Sequence, residues 1–150
     1  MAENLAYKAD KGCWAYDNNI ANVEVYGYLY EWETAINVCP AGWHLPNMDA
    51  FKLLRNSVGF YDAIGNLKSI NGWTSHNREK PESDQYGFTA LPAGAHSLYN
   101  EFHGIGGRAF WWSSTSIDSI YAWYFEVADY PIGVGDHPKL NAFSVRCLKD

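Results

Sequence analysis

The side chains best suited to chemistry in this 150-residue chain are three cysteines, five histidines and seventeen Asp and Glu. Cys13, Cys39 and Cys147 contain no C-x-x-C spacing, so they encode neither a zinc knuckle nor a dithiol redox pair. A Cys39–Cys147 bridge would close most of the chain into one loop, a constraint worth roughly 4 to 5 kcal/mol in the chain-entropy account. Three buried thiols are the alternative. His44, His76, His96, His103 and His137 show no H-x-x-x-H spacing, and His44, between Trp43 and Leu45, reads as a hydrogen-bonded structural histidine. Gly104-Ile105-Gly106-Gly107 lacks the strand before it and the helix after it that a phosphate loop needs. No Ser/His/Asp set or carboxylate pair can be located from spacing. These absences point away from an enzyme and from a resident cofactor. Calcium is the one ion that oxygen donors could take, at Asp17, Asn18 and Asn19 or at Asp62 and Asn66.

Contact chemistry is far better represented. Aromatic residues make up 17% of the chain, and a domain of this size cannot hide all of them, so some belong to the surface, where rings give large contact area at low entropic cost. Charged residues make up 19%, the net charge is -6 and the basic residues form no run, which excludes nucleic acid and anionic membranes as partners. No stretch approaches the roughly 20 apolar residues of a membrane span, so direct membrane insertion is not expected. Met1 to Asp10 lacks the pattern of a secretion signal, which a mature or excised chain would lack too, and this assigns no compartment.

The elements that must position these residues divide the chain. Leu29, Trp32, Ala35 and Ile36 recur at helical spacing and predict a helix over Tyr28 to Val38, ended by Cys39-Pro40. A second helix is predicted after Asn47, with Asn47 or Asp49 as cap, Phe51, Leu53, Leu54 and Val58 as apolar face, and Gly59 as stop. After Gly65 short aromatic and β-branched pieces predict strands at Gly87 to Leu91, Arg108 to Ser113, Ala122 to Val127 and Ala142 to Leu148. Ser75 to Gln85 and Asp129 to Leu140 read as loops, the latter shaped by its prolines and glycines. Helices early and strands late give an α+β domain spanning residues 1–150, with no linker or repeat to divide it.

At Cys39-Pro40-Ala41-Gly42-Trp43-His44-Leu45-Pro46 the chain resembles the Fibrobacter succinogenes major paralogous domain family. Met1-Ala2-Glu3-Asn4-Leu5, Gly12-Cys13-Trp14-Ala15-Tyr16-Asp17-Asn18, Tyr26-Gly27-Tyr28-Leu29-Tyr30, the block from Tyr86 to Gly94, Trp111-Trp112-Ser113-Ser114-Thr115 and Phe143-Ser144-Val145-Arg146-Cys147 are similar to that family as well. The resemblance implies a C-type lectin-like fold: two helices packed on a small twisted antiparallel sheet with long loops. The family is thought to share that fold with formylglycine-generating enzymes and with the variable proteins of diversity-generating retroelements. The cysteines do not match the positions that formylglycine chemistry would need, and the Glu-Pro-Asn type tripeptide of sugar-binding lectins is missing. The family's motif normally starts with a strand ahead of the Met-Ala-Glu-Asn-Leu block, which implies a domain cut from a longer protein or a shortened version.

Within the matching blocks Trp43, Leu45, Trp111, Phe143 and Val145 read as core, and Gly42, Gly87 and Gly94 as turn residues. Between Thr115 and Ala142 the chain departs from the family's Tyr- and Asn-rich stretch, at the position where diversified lectin-fold proteins carry their variable residues. The candidate ligand surface is therefore Ile117, Asp118, Ile120, Tyr121, Trp123, Phe125, Asp129, Tyr130, Ile132, Val134, Asp136, His137, Lys139 and Leu140. Strand alternation over Ala122 to Val127 sets Trp123, Phe125 and Val127 against Ala122, Tyr124 and Glu126, with one set expected to be buried and the other available. The resemblance implies a non-catalytic module that binds a protein or glycan on a target cell, from an extracellular protein, a cell surface or a phage tail tip. A carbohydrate-binding lectin and a formylglycine-generating type of enzyme are the other readings.

Overall fold

Two adjacent tryptophans set the architecture. Trp111 and Trp112 lie side by side on a strand, so their rings point to opposite faces, and both are fully buried. A strand hidden on both faces needs a layer on each side. The structure, a computed structural model, describes residues 3–59, 63–74, 82–128 and 133–150 and contains both layers.

The strands among these residues are β1 (Cys13–Trp14), β2 (Leu29–Glu31), β3 (Trp43–His44), β4 (Ala93–His96), β5 (Phe102–Ile105), β6 (Ala109–Ser116), β7 (Tyr121–Val127), β8 (Gly133–Pro138), β9 (Ala142–Phe143) and β10 (Leu148–Lys149). The helices are α1 (Ala21–Tyr26), α2 (Trp32–Ala35), α3 (Met48–Val58) and α4 (Ala63–Leu67). One sheet runs in the order β1-β2-β9-β4-β6-β7-β8, with β5 paired to β4, and β3 with β10 forms a separate pair. The pairs are antiparallel apart from β4 with β6, which run parallel. The fold is thus mixed α and β, with a core made mostly of sheet and with few helices.

Helix α3 forms as its sequence predicts. The Asn47 side chain accepts a hydrogen bond from the Ala50 N–H at 2.9 Å, and Gly59 ends the helix at φ 82°. Met48, Phe51 and Val58 are buried, and Phe51 stacks on Phe125 with ring centres 4.8 Å apart, which covers the Trp111 side of the sheet. Leu53, expected on the apolar face, points out and is 71% exposed.

The helix expected over Tyr28 to Val38 is a correction. Leu29 to Glu31 is strand β2, paired with β1 and β9, and only Trp32–Ala35 is helical. Leu29 and Tyr30 are both buried, on opposite faces, and Tyr30 lies with Trp112 in one cluster. Sheet pairing on both sides outweighs a helical spacing that four residues can satisfy by chance. Helix α1 has no fully buried residue and packs the half-buried Val23 and Tyr26 against the core, too short a pattern to mark a helix in the sequence. The loop expected over Asp129 to Leu140 is a second correction: Gly133–Pro138 is strand β8, paired with β7 from Tyr121↔Pro138 to Glu126↔Gly133. Gly135 belongs there because the Tyr124 side chain packs against it, with the hydroxyl oxygen 2.8 Å from where a Cβ would stand. The expected strand over Gly87 to Leu91 shrinks to a single parallel bridge between Lys68 and Ala90.

The N-terminal segment is bound into this core by a buried charge. Arg146 is 3% exposed; its Nε–H donates to Asn4 Oδ1 at 2.9 Å, and its terminal nitrogens donate to the carbonyls of Phe88 and Thr89. Burial pushes the guanidinium down to about 10, which leaves it charged at neutral pH. Asn4 Oδ1 also accepts from the Trp111 indole, while its amide nitrogen donates to Tyr26 O. Close approach at this point needs Gly27, at φ 74°, since a Cβ there would meet Leu5 O at 2.7 Å.

A disulfide joins Cys39 to Cys147 across 108 residues, and Cys13 is the free thiol. Under denaturing, non-reducing conditions thiol titration is expected to give one thiol per chain; three would contradict the bridge. Replacing both cysteines with Ser should lower stability by roughly 4 kcal/mol in urea unfolding. Arg146→Leu would leave the carbonyls of Phe88 and Thr89 without this donor and Asn4 Oδ1 with the Trp111 indole alone, at a cost of about 3 kcal/mol. That corresponds to roughly 6 to 12 °C in Tm for a chain of this length, and an unchanged Tm would show that the charge is not a structural centre.

Candidate functional site

The turn between β6 and β7 is held by one carboxylate. Asp118 accepts hydrogen bonds from the N–H groups of Ile120 and Tyr121, both at 2.7 Å, and these bonds keep its pKa below the ordinary aspartate value. The Ile117 N–H donates to Tyr121 O at 3.0 Å. With the backbone fixed in this way, Ile117, Ile120 and Tyr121 stand exposed, Ile120 at 59%.

Lys139 ties the turn to the rest of the fold. Its N–H donates to Ile120 O and its ammonium to Asp118 O, each at 2.8 Å. The ammonium also lies 4.1 Å from the centre of the Trp32 ring, whose indole donates to Ser113 O. Leu140 beside it is 63% exposed. The next residue, Asn141, is buried; its Oδ1 accepts from the Leu98 N–H at 2.8 Å, and its amide donates to His137 Nδ1 at 2.7 Å. Asn141 thereby brings in the β4–β5 turn, where Leu98 and Tyr99 are exposed, Tyr99 at 79%. Three turns thus meet at one end of the sheet and form a rim of exposed apolar side chains on a hydrogen-bonded backbone.

Of the residues singled out from sequence, Ile117, Ile120, Tyr121 and Leu140 lie on this rim, with Asp118 and Lys139 as its struts. The others do not join them. Phe125 is fully buried between Phe51 and Trp111 and is no surface residue, because α3 covers that face of β7. Trp123 and Val134 are half-buried against the same cluster, and Asp136, opposite Trp123, is exposed beyond it. His137 sits on the other face, 5.5 Å from the ring centres of both Tyr124 and Phe143. Trp123 on one face and Tyr124 on the other are each half-buried, so the two aromatic sets of β7 do not divide into a buried one and a free one. Asp129, Tyr130 and Ile132 lie outside the described residues. Leu98 and Tyr99 were not anticipated: Leu98 lies 43 residues before Asn141 in sequence, and the Asn141 bond ties its turn to the rim.

The groups considered for catalysis or metal are dispersed. Cys39 and Cys147 are consumed in the disulfide, and burial raises the Cys13 pKa, which disfavours its thiolate. His44 is exposed and bonded to Asp150 at 2.5 Å. Among the described residues no group of three or more His, Cys, Asp and Glu could hold a metal ion, and Asp62 lies outside them. Among the same residues no helix is long and apolar enough to cross a membrane.

The chain matches the family model described as the Fibrobacter succinogenes major domain over residues 1–149. No curated protein and no solved structure matched it.

His137 and His103 carry a pH prediction. Partial desolvation lowers the pKa of both, with Arg108 opposing the charge on each, but both side chains remain exposed and solvent screening keeps the effect on stability small. The unfolded chain binds these protons at the ordinary histidine value and the folded chain resists them, so stability is full above about pH 6.5 and falls as the pH drops below it. Melting curves from pH 7.5 to 5 should show a smaller acid loss for His137→Gln than for the parent chain; an equal or larger loss would contradict the assignment.

Proposed function

The chain belongs to the Fibrobacter succinogenes major domain family, and we propose that it is a non-catalytic recognition module of C-type lectin-like fold that binds a protein ligand through the rim. The observation that carries this reading is the pairing of exposed Ile117, Ile120, Tyr121 and Leu140 with a backbone already fixed by Asp118, Lys139 and Asn141. Apolar surface gains free energy when a partner covers it, and a pre-ordered backbone loses little entropy in the process. Aromatic and aliphatic side chains on rigid turns are the chemistry of a paratope. The rim side chains contribute little to the core, so they can be exchanged without loss of the fold, as a diversified surface or an adhesin requires. The Cys39–Cys147 bridge favours an oxidising location, an extracellular or cell-surface one, with a phage tail tip as the other setting.

The test compares the parent chain with a variant carrying Ile117→Ser, Ile120→Ser, Tyr121→Ser and Leu140→Ser. Stability should stay within about 2 kcal/mol, since these are surface changes. Binding to an array of bacterial and host surface proteins should fall at least about tenfold, the effect of losing some 1.4 kcal/mol of contact. Equal binding by both proteins would overturn the reading. So would a signal found only on a glycan array and removed by a chelator, which would favour a calcium-dependent lectin.

A further inference from the structure

A cleft of about 890 Å3 opens between the N-terminal segment and the stretch from Glu31 to Pro40. It is next to the rim without being part of it: the Trp32 N–H at its edge donates to Lys139 O at 3.0 Å. Leu5, Ala9, Val38 and the half-cystine Cys39 supply apolar wall, and Tyr7 stands at the boundary, 63% exposed. The volume lies in the range of sites that hold small molecules or single side chains.

The polar groups of the cleft are unbalanced. Asp10, Glu31 and Glu33 line the cleft together with a single basic residue, Lys11. The Thr34 hydroxyl donates to Lys11 O at 3.1 Å, and one of the two Asn37 amide N–H groups donates to Glu33 O at 2.9 Å. Acceptors therefore predominate: three carboxylates and the Asn37 amide oxygen, against the second Asn37 N–H and the Lys11 ammonium. Glu31 is half-buried, and burial raises its pKa against the attraction of His96; its carboxylate accepts no hydrogen bond among the described residues. Gly12 makes room for that carboxylate, since a Cβ there would stand 2.9 Å from Glu31 Oε2. A sugar needs donors as well as acceptors from its site, and the net negative charge of this cleft suits a cation better than a neutral sugar.

We propose that the cleft binds an organic cation, a primary ammonium or guanidinium group on an aliphatic stem, carried either by a lysine or arginine side chain of a peptide or by a free polyamine. Glu31 and its neighbours accept the charged N–H groups, the Tyr7 ring offers its face to the cation, and the stem lies along Leu5 and Val38. Such a site would give an acidic protein a charge-selective contact beside its apolar rim.

Amide chemical shifts of the 15N-labelled chain test this in titrations with spermidine, with a blocked Lys-Arg dipeptide and with cellobiose. Saturable shifts at Lys11, Gly12, Glu31 and Thr34 are expected with the cations, weakening as salt rises. Tighter binding of the dipeptide would assign a peptide source, and tighter binding of spermidine a polyamine. Glu31→Gln, which keeps the shape of the side chain, and Tyr7→Ala, at an exposed position, should each weaken binding by about fivefold or more with unchanged melting temperatures. The proposal is overturned by cation titrations without saturation at these amides, by Glu31→Gln binding as well as the parent, or by cellobiose producing the same shifts.

Discussion

A buried guanidinium is the constraint around which this fold is organised. Arg146 brings its charge to the interior, where a bare cation is costly, and it is tolerated because Asn4 Oδ1 and the carbonyls of Phe88 and Thr89 receive its protons. The compensating carboxylate is one bond removed: Asp84 accepts from both the N–H and the hydroxyl of Thr89 at 2.6 Å. Those bonds hold Thr89 at φ 52° and Asp84 at φ 45°, left-handed conformations that a β-branched residue and its partner would otherwise leave. The guanidinium also lies 4.4 Å from the Phe88 ring centre and 5.2 Å from that of Trp111. One side chain therefore joins the N-terminal segment, the turn from Asp84 to Thr89, the central strand β6 and the end of the chain.

The same arrangement separates what must be kept from what can vary. Trp111 and Trp112 anchor β6 in two different clusters, with their indole N–H groups bonded to Asn4 Oδ1 and Tyr30 O. The disulfide ties Cys147, just after Arg146, to the far side of α2. Ile117, Ile120 and Leu140 hang beyond these ties on backbone that Asp118 and Lys139 have fixed. Scaffold and rim thus share strands but not side chains.

Legibility in the sequence followed how local each interaction was. Asn47, Gly59 and the apolar spacing between them define α3 within eleven residues, and that helix was readable. Leu29 fitted a helical spacing with Trp32, Ala35 and Ile36, and only pairing with strands ending at Trp14 and Phe143 makes Leu29 and Tyr30 a strand. Gly133 to Pro138 looked like a loop because its glycine and proline content was taken at face value, whereas Gly135 is fitted to the ring of Tyr124. The Cys39–Cys147 bridge stayed one of two readings, since counting cysteines gives no distances. The rim was readable at Ile117, Ile120, Tyr121 and Leu140 as a departure from the family pattern. Phe125 carried the same signal and proved to be core, because alternation assigns faces and cannot tell which of them is covered. Arg146 stood at the end of a matching block, and nothing local announced that it would be buried.

The central claim is that the rim is a separable surface on a scaffold locked by Arg146, and native-state hydrogen exchange measures it most directly. The N–H groups of Leu5, Trp112 and Ser144, bonded to Val145 O, Ser144 O and Phe110 O, should exchange only through global unfolding. Those of Ile117 and Asp118, bonded to Tyr121 O at the turn, should exchange through a smaller local opening that is insensitive to low denaturant. If Leu5 exchanged as readily as the turn, or if the turn were protected to the full global free energy, rim and scaffold would be one cooperative unit and the account would be wrong.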